Sequence, residues 1–268
     1  MSKININRRD DIDSYYKTAA LISRVKLFLL IATVVTTFLI FYSFLIGFIN
    51  EGILKTTYIT SAWLYFVASQ ALKFWFVPKA ESARRTQMIS NALGVPLCHE
   101  KTFLYYNNNF PASISRLGAN IMENALFTRS IVARMLLNNS IFTFAFIVLW
   151  VTVLVIRHES LDLIILVTQT IFSYELIVQW LKLMFLKIRS EHVYKDLYSH
   201  YLHHNEKDTA PANASVLDYF AEYETAKSTA GVLLSSKIFH KLNQSLSEQW
   251  DQIQIELNMG QMDKDDTE

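Results

Sequence analysis

The chain has 268 residues, of which 51% are hydrophobic and 18% are charged, and its formal net charge is +1. A typical soluble protein carries about 25% charged residues, so the composition argues against an ordinary soluble domain. Six glycines and four prolines exclude collagen-like and low-complexity chains, and the balanced charge implies no strongly basic surface for nucleic acid.

The sequence contains no motif that would hold a nucleotide, a metal or a catalytic group. Neither G-x-G-x-x-G nor G-x-x-x-x-G-K-[ST] occurs, which excludes phosphate binding by those loops. The single cysteine, Cys98, excludes an intramolecular disulfide and a multi-cysteine zinc site. His200 and His204 have a spacing that a metal could bridge, but no third ligand is evident beside them. We therefore expect no enzymatic activity, no cofactor and no metal site.

Four long apolar runs predict an all-α integral membrane protein with four transmembrane helices. A helix needs about 20 residues to cross the hydrocarbon core, and these runs have 19 to 23. They cover residues 27–49, 56–77, 135–156 and 163–181. Only Lys73 and Glu175 add a charge, and Pro78 is expected to close the second run. Residues 50–55 and 157–162 are short connections, so we predict two transmembrane hairpins with helical cytoplasmic extensions.

Positive charges predict the orientation of these hairpins, because cytoplasmic loops of membrane proteins carry an excess of lysine and arginine. Residues 1–26 contain six such side chains and residues 79–134 contain seven. The two short connections contain only Lys55 and Arg157. Both termini and the middle segment are therefore predicted to face the cytoplasm.

The predicted organisation alternates cytoplasmic helices with hairpins, and no β-strand is expected. Its segments are an N-terminal helix (1–26), a first hairpin (27–77), a helical middle segment (78–134), a second hairpin (135–181), a helical tail (182–257) and a disordered acidic tail (258–268). Asp10 or Asp11 is expected to cap the N-terminal helix. The fourth run is expected to continue as a helix to about His204.

Local signals predict further helix ends within the cytoplasmic segments. A helix over 80–93 should stop at Gly94. A helix that resumes at Ala112 is expected to lie along the membrane surface or to pack on the C-terminal part. Residues 206–215 are expected to form a linker, followed by a short helix over about 215–228.

The last predicted helix, over about 232–257, has the clearest apolar period outside the runs. Seven side chains recur every three or four residues, which is typical of one face of a helix. This stripe consists of Leu234, Ile238, Leu242, Leu246, Trp250, Ile253 and Leu257. Packing within the subunit and an interface with a partner or a second copy both remain open explanations.

The fourth apolar run contains the strongest candidate for a functional group, Glu175. An acidic side chain inside a span costs about 3 kcal/mol and usually faces a partner or water. Thr168, Glu175 and Gln179 are seven and four residues apart and therefore share one helical face, which could line a hydrated path. Lys73 lies at a matching depth in the second run, so it joins this candidate pore-lining or gating set. A structural Lys73–Glu175 ion pair, which can coexist with such a path, and a side chain that snorkels toward the membrane surface are the alternatives.

Three stretches carry a resemblance to a known family. They are DDIDSYYKTAALISRVK (10–26) before the first hairpin, AESARRTQMISNALGVPL (80–97) after it, and SSKIFHKLNQSLSEQW (235–250) near the end. Together with the two-hairpin layout, they resemble the SMODS/SLOG-associated transmembrane effectors (the SLATT group), in particular their four-span pore-forming branch. Gln87 matches a glutamine expected in the helix after the first hairpin.

The resemblance implies a role in bacterial anti-phage defence by abortive infection. A separate sensor protein, or a nucleotide second messenger, would trigger the chain from the cytoplasm. The chains would then oligomerise in the inner membrane and make it permeable. The expected partners are the lipid bilayer, further copies of the chain and the sensor, with no direct nucleic acid. A regulated ion channel or transporter, and a membrane-anchored scaffold that binds a partner through its cytoplasmic helices, remain alternatives.

Overall fold

The computed structural model describes residues 9–46, 50–99, 102–103, 106, 108, 110–156, 163–204 and 209–259. In this part of the chain the helices are α1 (Asp13–Ile46), α2 (Glu51–Ala71), α3 (Val77–Leu93), α4 (Ile114–Ile156), α5 (Leu163–His204), α6 (Ala210–Ala230) and α7 (Ser236–Glu256). A π-helical turn, Leu72–Phe76, joins α2 to α3. The predicted all-α class is confirmed.

Glycines and polar caps determine where several helices end. Gly94 and Gly231 follow α3 and α6 with φ values of 66° and 54°, a left-handed shape that glycine adopts without steric cost. The stop predicted at Gly94 is thus confirmed. Side-chain oxygens of Asn50, Thr209 and Ser235 accept backbone N–H groups in the first turns of α2, α6 and α7.

The linker predicted over 206–215 is wrong for its second half, because α6 begins inside it at Ala210. Thr209 supplies the cap, and Pro211 lies in the first turn of the helix. A proline there loses no hydrogen bond, since the first N–H groups of a helix have no partner within it. The proline that suggested a linker is therefore part of a helix start.

The smaller of two compact units, here called the hairpin unit, covers Ile12–Ser82. The Lys26 ammonium lies 5.1 Å from the centre of the Tyr65 ring, and Thr33 Oγ1 lies 3.1 Å from Ser61 Oγ. Later residues of α1 thus meet earlier residues of α2, so the two helices are antiparallel. They form a helical pair where the first hairpin was predicted.

Pro78 does not close the second apolar run, contrary to the sequence expectation. The π-helical turn Leu72–Phe76 precedes α3, which begins at Val77, and the chain stays helical through the proline. Proline has no N–H to donate, and its ring crowds the carbonyl four residues earlier, which is that of Phe74. The wider turn shifts that carbonyl and relieves the conflict.

The larger unit comprises Met1–Asp11 and Ala83–Glu268, and its axis is the antiparallel pair of α4 and α5. Tyr201 Oη donates to the Ser115 carbonyl at 2.6 Å, and Trp180 Nε1 donates to Ser140 Oγ at 2.7 Å. The helices have 43 and 42 residues, or about 60 Å each at 1.5 Å per residue. That is about twice the thickness of a hydrocarbon core.

The helix expected to resume at Ala112 and the third apolar run form one continuous element, α4. Its polar first half packs against α5, α6 and α7, so of the two placements considered, packing on the C-terminal part is the one found. The predicted extension of the fourth run to His204 is confirmed, since α5 ends there. Both long helices therefore join an apolar half to a half that belongs to a packed core.

The core of the larger unit lies between the polar halves of α4 and α5 and the helices α6 and α7. Its largest fully buried side chains include Trp250, Tyr223, Met122 and Leu197. Met259 is also buried, and its N–H donates to the Gln254 carbonyl at 2.9 Å. Residues 258–259 of the predicted disordered tail are therefore ordered, and 260–268 lie outside the described residues.

One short strand pair departs from the expectation of no β-structure. Arg9–Asp10 (β1) pairs antiparallel with Thr102–Phe103 (β2). The Asp10 carboxylate accepts a hydrogen bond from Arg84 at 2.8 Å, and both side chains are largely buried. Because α1 begins only at Asp13, neither Asp10 nor Asp11 is its N-cap, and that prediction is wrong.

Among the described residues, one helical stretch, Asp13–Ile40, is long and apolar enough to cross a membrane. Only 17% of its most apolar window is buried. A core helix of a soluble protein would be mostly buried, although a signal sequence near the N-terminus would meet the same criterion. For the other three runs, a membrane-spanning role stays a prediction.

Gly118 generates a test of the α4–α5 packing. A methyl group at this position would overlap the Tyr201 hydroxyl and lie 3.2 Å from Val216 Cγ1. In an open helix, Gly→Ala stabilises by about 1 kcal/mol. We expect Gly118→Ala to destabilise the chain by about 1–3 kcal/mol in thermal unfolding, because the site is already filled. The same substitution should cost less in a Tyr201→Phe background, and an equal cost would contradict the packing described.

Candidate functional site

The hairpin unit exposes many large apolar side chains on both of its helices. Phe28 on α1 is 69% exposed, and Trp63 on α2 is 64% exposed. Others on α1 are Leu21, Val25, Leu27, Ile31, Val35, Phe38 and Leu39. Soluble monomers rarely expose apolar surface on this scale, since each such side chain would gain about 1.5–3 kcal/mol from leaving water. This surface is suited to contact with lipid.

The larger unit exposes a regular apolar stripe on each of its long helices. On α4 the stripe consists of Leu137, Ile141, Phe144, Val148 and Val151, and on α5 of Ile177, Leu181, Met184 and Ile188. Spacings of three and four place each set on one helical face. Most of these residues lie in the apolar halves of the helices, whereas Met184 and Ile188 lie beside the core residues Leu183 and Leu186 but are exposed. These halves therefore lack a protein partner on that face among the described residues.

Glu175 and Gln179 lie one turn apart on α5 and are both half-buried. Glu175 takes part in at least one interaction with a neighbouring group. Thr168 lies on the same helix, but its side chain is outside the described part of the structure. The predicted polar face is thus described for two of its three members on α5.

Lys73, the fourth member of the candidate set, lies in the π-helical turn Leu72–Phe76. Its ammonium group lies 5.2 Å from the centre of the neighbouring Phe74 ring. Turns of this kind occur often at functional sites, where they change the direction of nearby side chains. Lys73 belongs to the hairpin unit and Glu175 to the larger unit, so their predicted ion pair stays a prediction.

A polar contact that sequence analysis missed joins the two long helices beside Gln179. Trp180 Nε1 donates a hydrogen bond to Ser140 Oγ at 2.7 Å. Ser140 Oγ in turn bonds the Leu136 carbonyl, at 2.7 Å. Such bonds between apolar helices are worth about 1 kcal/mol. The signal available in the sequence was a serine near the start of the third apolar run and a tryptophan near the end of the fourth, which alone could not pair them.

The apolar stripe along α7 has buried residues toward its end and partly exposed residues toward its start. Leu246, Trp250, Ile253 and Leu257 are buried, and the last three belong to the main core of the same chain. The earlier members, Leu234, Ile238 and Leu242, are only half-buried. Packing within the subunit therefore accounts for the buried residues and for Leu234, which packs against a second core cluster of the same chain, and the interface explanation is left to Ile238 and Leu242.

A chain of polar side chains joins α3, the following loop and the start of α4. Asn120, fully buried on α4, accepts from Asn108 at 2.7 Å and donates to Asn91 at 3.3 Å. Gln87 donates to Thr102 at 2.6 Å and accepts from the Cys98 thiol at 3.1 Å. Buried amides need such partners, so these bonds fix the loop onto the two helices. The loop after α3 contains three consecutive asparagines, and its sequence gave no pattern from which these hydrogen bonds could be predicted.

Arginine and tyrosine side chains link the polar halves of α4 and α5. The Arg129 guanidinium lies 3.7 Å from the centre of the Tyr194 ring, a close cation–π contact. Burial raises the pKa of the Tyr194 hydroxyl, and the positive charge of Arg129 partly opposes that rise. Across α4 and α6, the Thr128 and Tyr223 hydroxyls lie 2.8 Å apart. The core is thus held by specific polar contacts as well as by apolar packing.

His200, considered with His204 as a spacing for metal binding, lies among aromatic rings instead. Its ring centre is 5.5 Å from that of Tyr201 and 6.2 Å from that of Tyr219, with near-perpendicular planes in both cases. This edge-to-face arrangement is a packing contact between α5 and α6. The side chain of His204 lies outside the described part of the structure.

No protein-family model, no curated protein and no solved structure matches the chain.

The buried face and the exposed face of α7 generate a matched test. Trp250 is fully buried, whereas Ile255 on the same helix is 73% exposed. We expect Trp250→Ala to lower the free energy of unfolding by about 3–5 kcal/mol. Ile255→Ala should change it by no more than about 0.5 kcal/mol. Chemical unfolding measures both free energies when it is followed by far-ultraviolet circular dichroism, which reports helix content and not tryptophan fluorescence. Equal effects would contradict the assignment of Trp250 to the core.

Proposed function

We propose that the chain is a four-span protein of the bacterial inner membrane, with two hairpins and both termini in the cytoplasm. The exposed apolar faces of α1, α2, α4 and α5 support this, because lipid is the solvent that favours them. The antiparallel pairing within each hairpin agrees with two crossings that return to the same side. The excess of lysine and arginine in residues 1–26 and 79–134, compared with the two short connections, supports the orientation.

The native cysteine allows this topology to be tested without a new label site on the cytoplasmic side. Cys98 is partly exposed and lies after α3. Asn50, exposed before α2, lies at the predicted external turn. We expect a membrane-impermeant maleimide to label Asn50→Cys, in a Cys98→Ser background, in intact spheroplasts. Native Cys98 should react only after permeabilisation. The reverse pattern, or labelling of both sites only after lysis, would contradict the topology.

The function that the geometry supports best is a membrane-permeabilising effector controlled from the cytoplasm. The observation that carries it is the half-buried pair of Glu175 and Gln179, one turn apart within an apolar run. A carboxylate at that depth is costly unless a partner or water solvates it. Several copies that bring this face together would surround a polar path through an otherwise apolar layer.

The continuous long helices provide the connection from a cytoplasmic trigger to that path. α4 and α5 pass without a break from the packed core into their apolar halves. A change in core packing therefore displaces the Trp180–Ser140 contact and the neighbouring Gln179 directly. The half-exposed residues Ile238 and Leu242 supply an apolar surface for contact with the trigger or with further copies.

The role in anti-phage defence rests on the resemblance to the SLATT group alone. In that setting a sensor protein or a nucleotide second messenger acts on the cytoplasmic helices, the chains assemble, and the infected cell dies by loss of membrane integrity. The cytoplasmic helices contain no recognisable catalytic motif, which agrees with an input region that responds rather than an enzyme.

The proposal is tested by membrane leakage in bacterial cells that express the full chain, alone and with its neighbouring genes under phage challenge. Induction or challenge should depolarise the membrane and admit a normally excluded dye. Glu175→Gln and Lys73→Met should each change the rate of leakage by about tenfold, because they alter the charge of the path or of its gate. Glu191→Gln is the matched control, since this partly exposed carboxylate lies on α5 in the core region and pairs with Lys195 at 2.9 Å.

Each contrary outcome points to a stated alternative. Unchanged leakage in both charge variants would remove Glu175 and Lys73 from the mechanism. Steady, ion-selective conductance without a trigger would favour a regulated channel or transporter. An intact membrane at confirmed expression, with a partner that Leu242→Glu releases, would favour the scaffold. Leu246 is unsuitable for this purpose, because it is buried and a charge there would disrupt the fold.

A further inference from the structure

Three metal-ligating side chains meet on the surface of the larger unit, away from the apolar halves of its helices. On α5, His192 Nδ1 lies 2.6 Å from Asp196 Oδ2. Glu222 on α6 places its Oε1 atom 3.9 Å from the same nitrogen. All three ligand atoms lie within 4.8 Å of one another. The spacing of His192 and Asp196 is one helical turn, but Glu222 is 30 residues further along the chain.

The distances suit a small tetrahedral ion. Zinc binds histidine nitrogen and carboxylate oxygen at about 2.0–2.2 Å, which places neighbouring ligand atoms about 3.4 Å apart. The distances from His192 Nδ1 to Asp196 and Glu222 lie on either side of that value. The His192 side chain is 58% exposed, so a small rotation can open the short contact. Water can then reach a fourth position.

The charges around the three ligands have both signs, with Asp196, Asp218 and Glu222 negative and Arg189 positive. The pKa of the Tyr219 hydroxyl is raised first by burial and then by the negative charges of Asp196, Asp218 and Glu222. Carboxylates on α5 and α6 thus lie close enough to act on the same hydroxyl group. Arg189 lies 3.3 Å from Glu222 Oε1, and it can move to the second carboxylate oxygen when the first binds a metal.

We propose that His192, Asp196 and Glu222 bind one divalent transition-metal ion, preferably Zn²⁺, which links α5 to α6. One imidazole with two carboxylates suits zinc, whereas Ca²⁺ takes six to eight oxygen ligands and Mg²⁺ retains an octahedron of oxygens. The rigid helices hold the ligands, so little order must be gained on binding. This site is independent of the proposed membrane function.

The test uses the full-length chain, purified in detergent with its affinity tag removed and its metals stripped by a chelator. Equilibrium dialysis against Zn²⁺ should give one ion per chain. Titration with Co²⁺ alone should give the strong visible absorption of a four-coordinate cobalt site. His192→Ala and Glu222→Gln should each weaken binding by at least about tenfold. Zn²⁺ should raise the Tm of the native chain, because an ion that binds only the folded state stabilises it.

The matched controls are His203→Ala and Glu191→Gln, which remove an exposed imidazole and a partly exposed carboxylate from the same helix. Both should bind Zn²⁺ and Co²⁺ as the native chain does. The Tm of each variant without metal verifies that it folds. Equal binding by His192→Ala, or no stoichiometric binding at about 100 µM Zn²⁺, would overturn the proposal. Leakage measured with and without the chelator stays a separate readout, so failure here leaves the proposed function untouched.

Discussion

The need to satisfy every backbone hydrogen bond within long helices shapes this protein more than any single contact. In a lipid environment a lone helix can do this only without interruption, because no water is present to replace a missing partner. α1 and α5 contain no glycine or proline, and α4 contains only Gly118, in the half that packs in the core. The one proline within the run-containing helices is accommodated by a wider turn. Long unbroken helices are the result.

This continuity means that two environments share the same helices. In their polar halves, α4 and α5 present one face to a core built with α6 and α7, held by contacts such as Arg129 with Tyr194. In their apolar halves, the outward faces have no described protein partner. The Trp180–Ser140 hydrogen bond lies near the boundary between the polar and the apolar halves of the two helices. A rigid helix transmits rotation or tilt across that boundary, which is why core packing and the polar face around Gln179 are mechanically linked.

Features that depend on nearby residues could be predicted from the sequence. The stop at Gly94, the extension of α5 to His204 and the periodic stripe of α7 all follow from local composition, and the structure contains them. The continuity of α4 was harder, because charged and amide residues interrupt the apolar pattern before 135. The helix end expected at Pro78 was predicted wrongly, because a π-helical turn has no sequence pattern of its own. The groups that the structure brings together from distant positions, such as His192 with Glu222, depend on helix packing and carry no local signal.

The order of the elements also has a consequence for how the chain can assemble during synthesis. The core of the larger unit draws on residues 117–132, before the second pair of apolar runs, and on residues 183–201, after it. Neither half can bury its apolar face until both runs have left the ribosome and the hairpin has closed. In the proposed topology, membrane insertion would therefore precede folding of this core, and a hairpin inserted with a single crossing would leave the two halves on opposite sides of the bilayer. In that topology, the core forms only when the second hairpin returns to the side of the membrane from which it started.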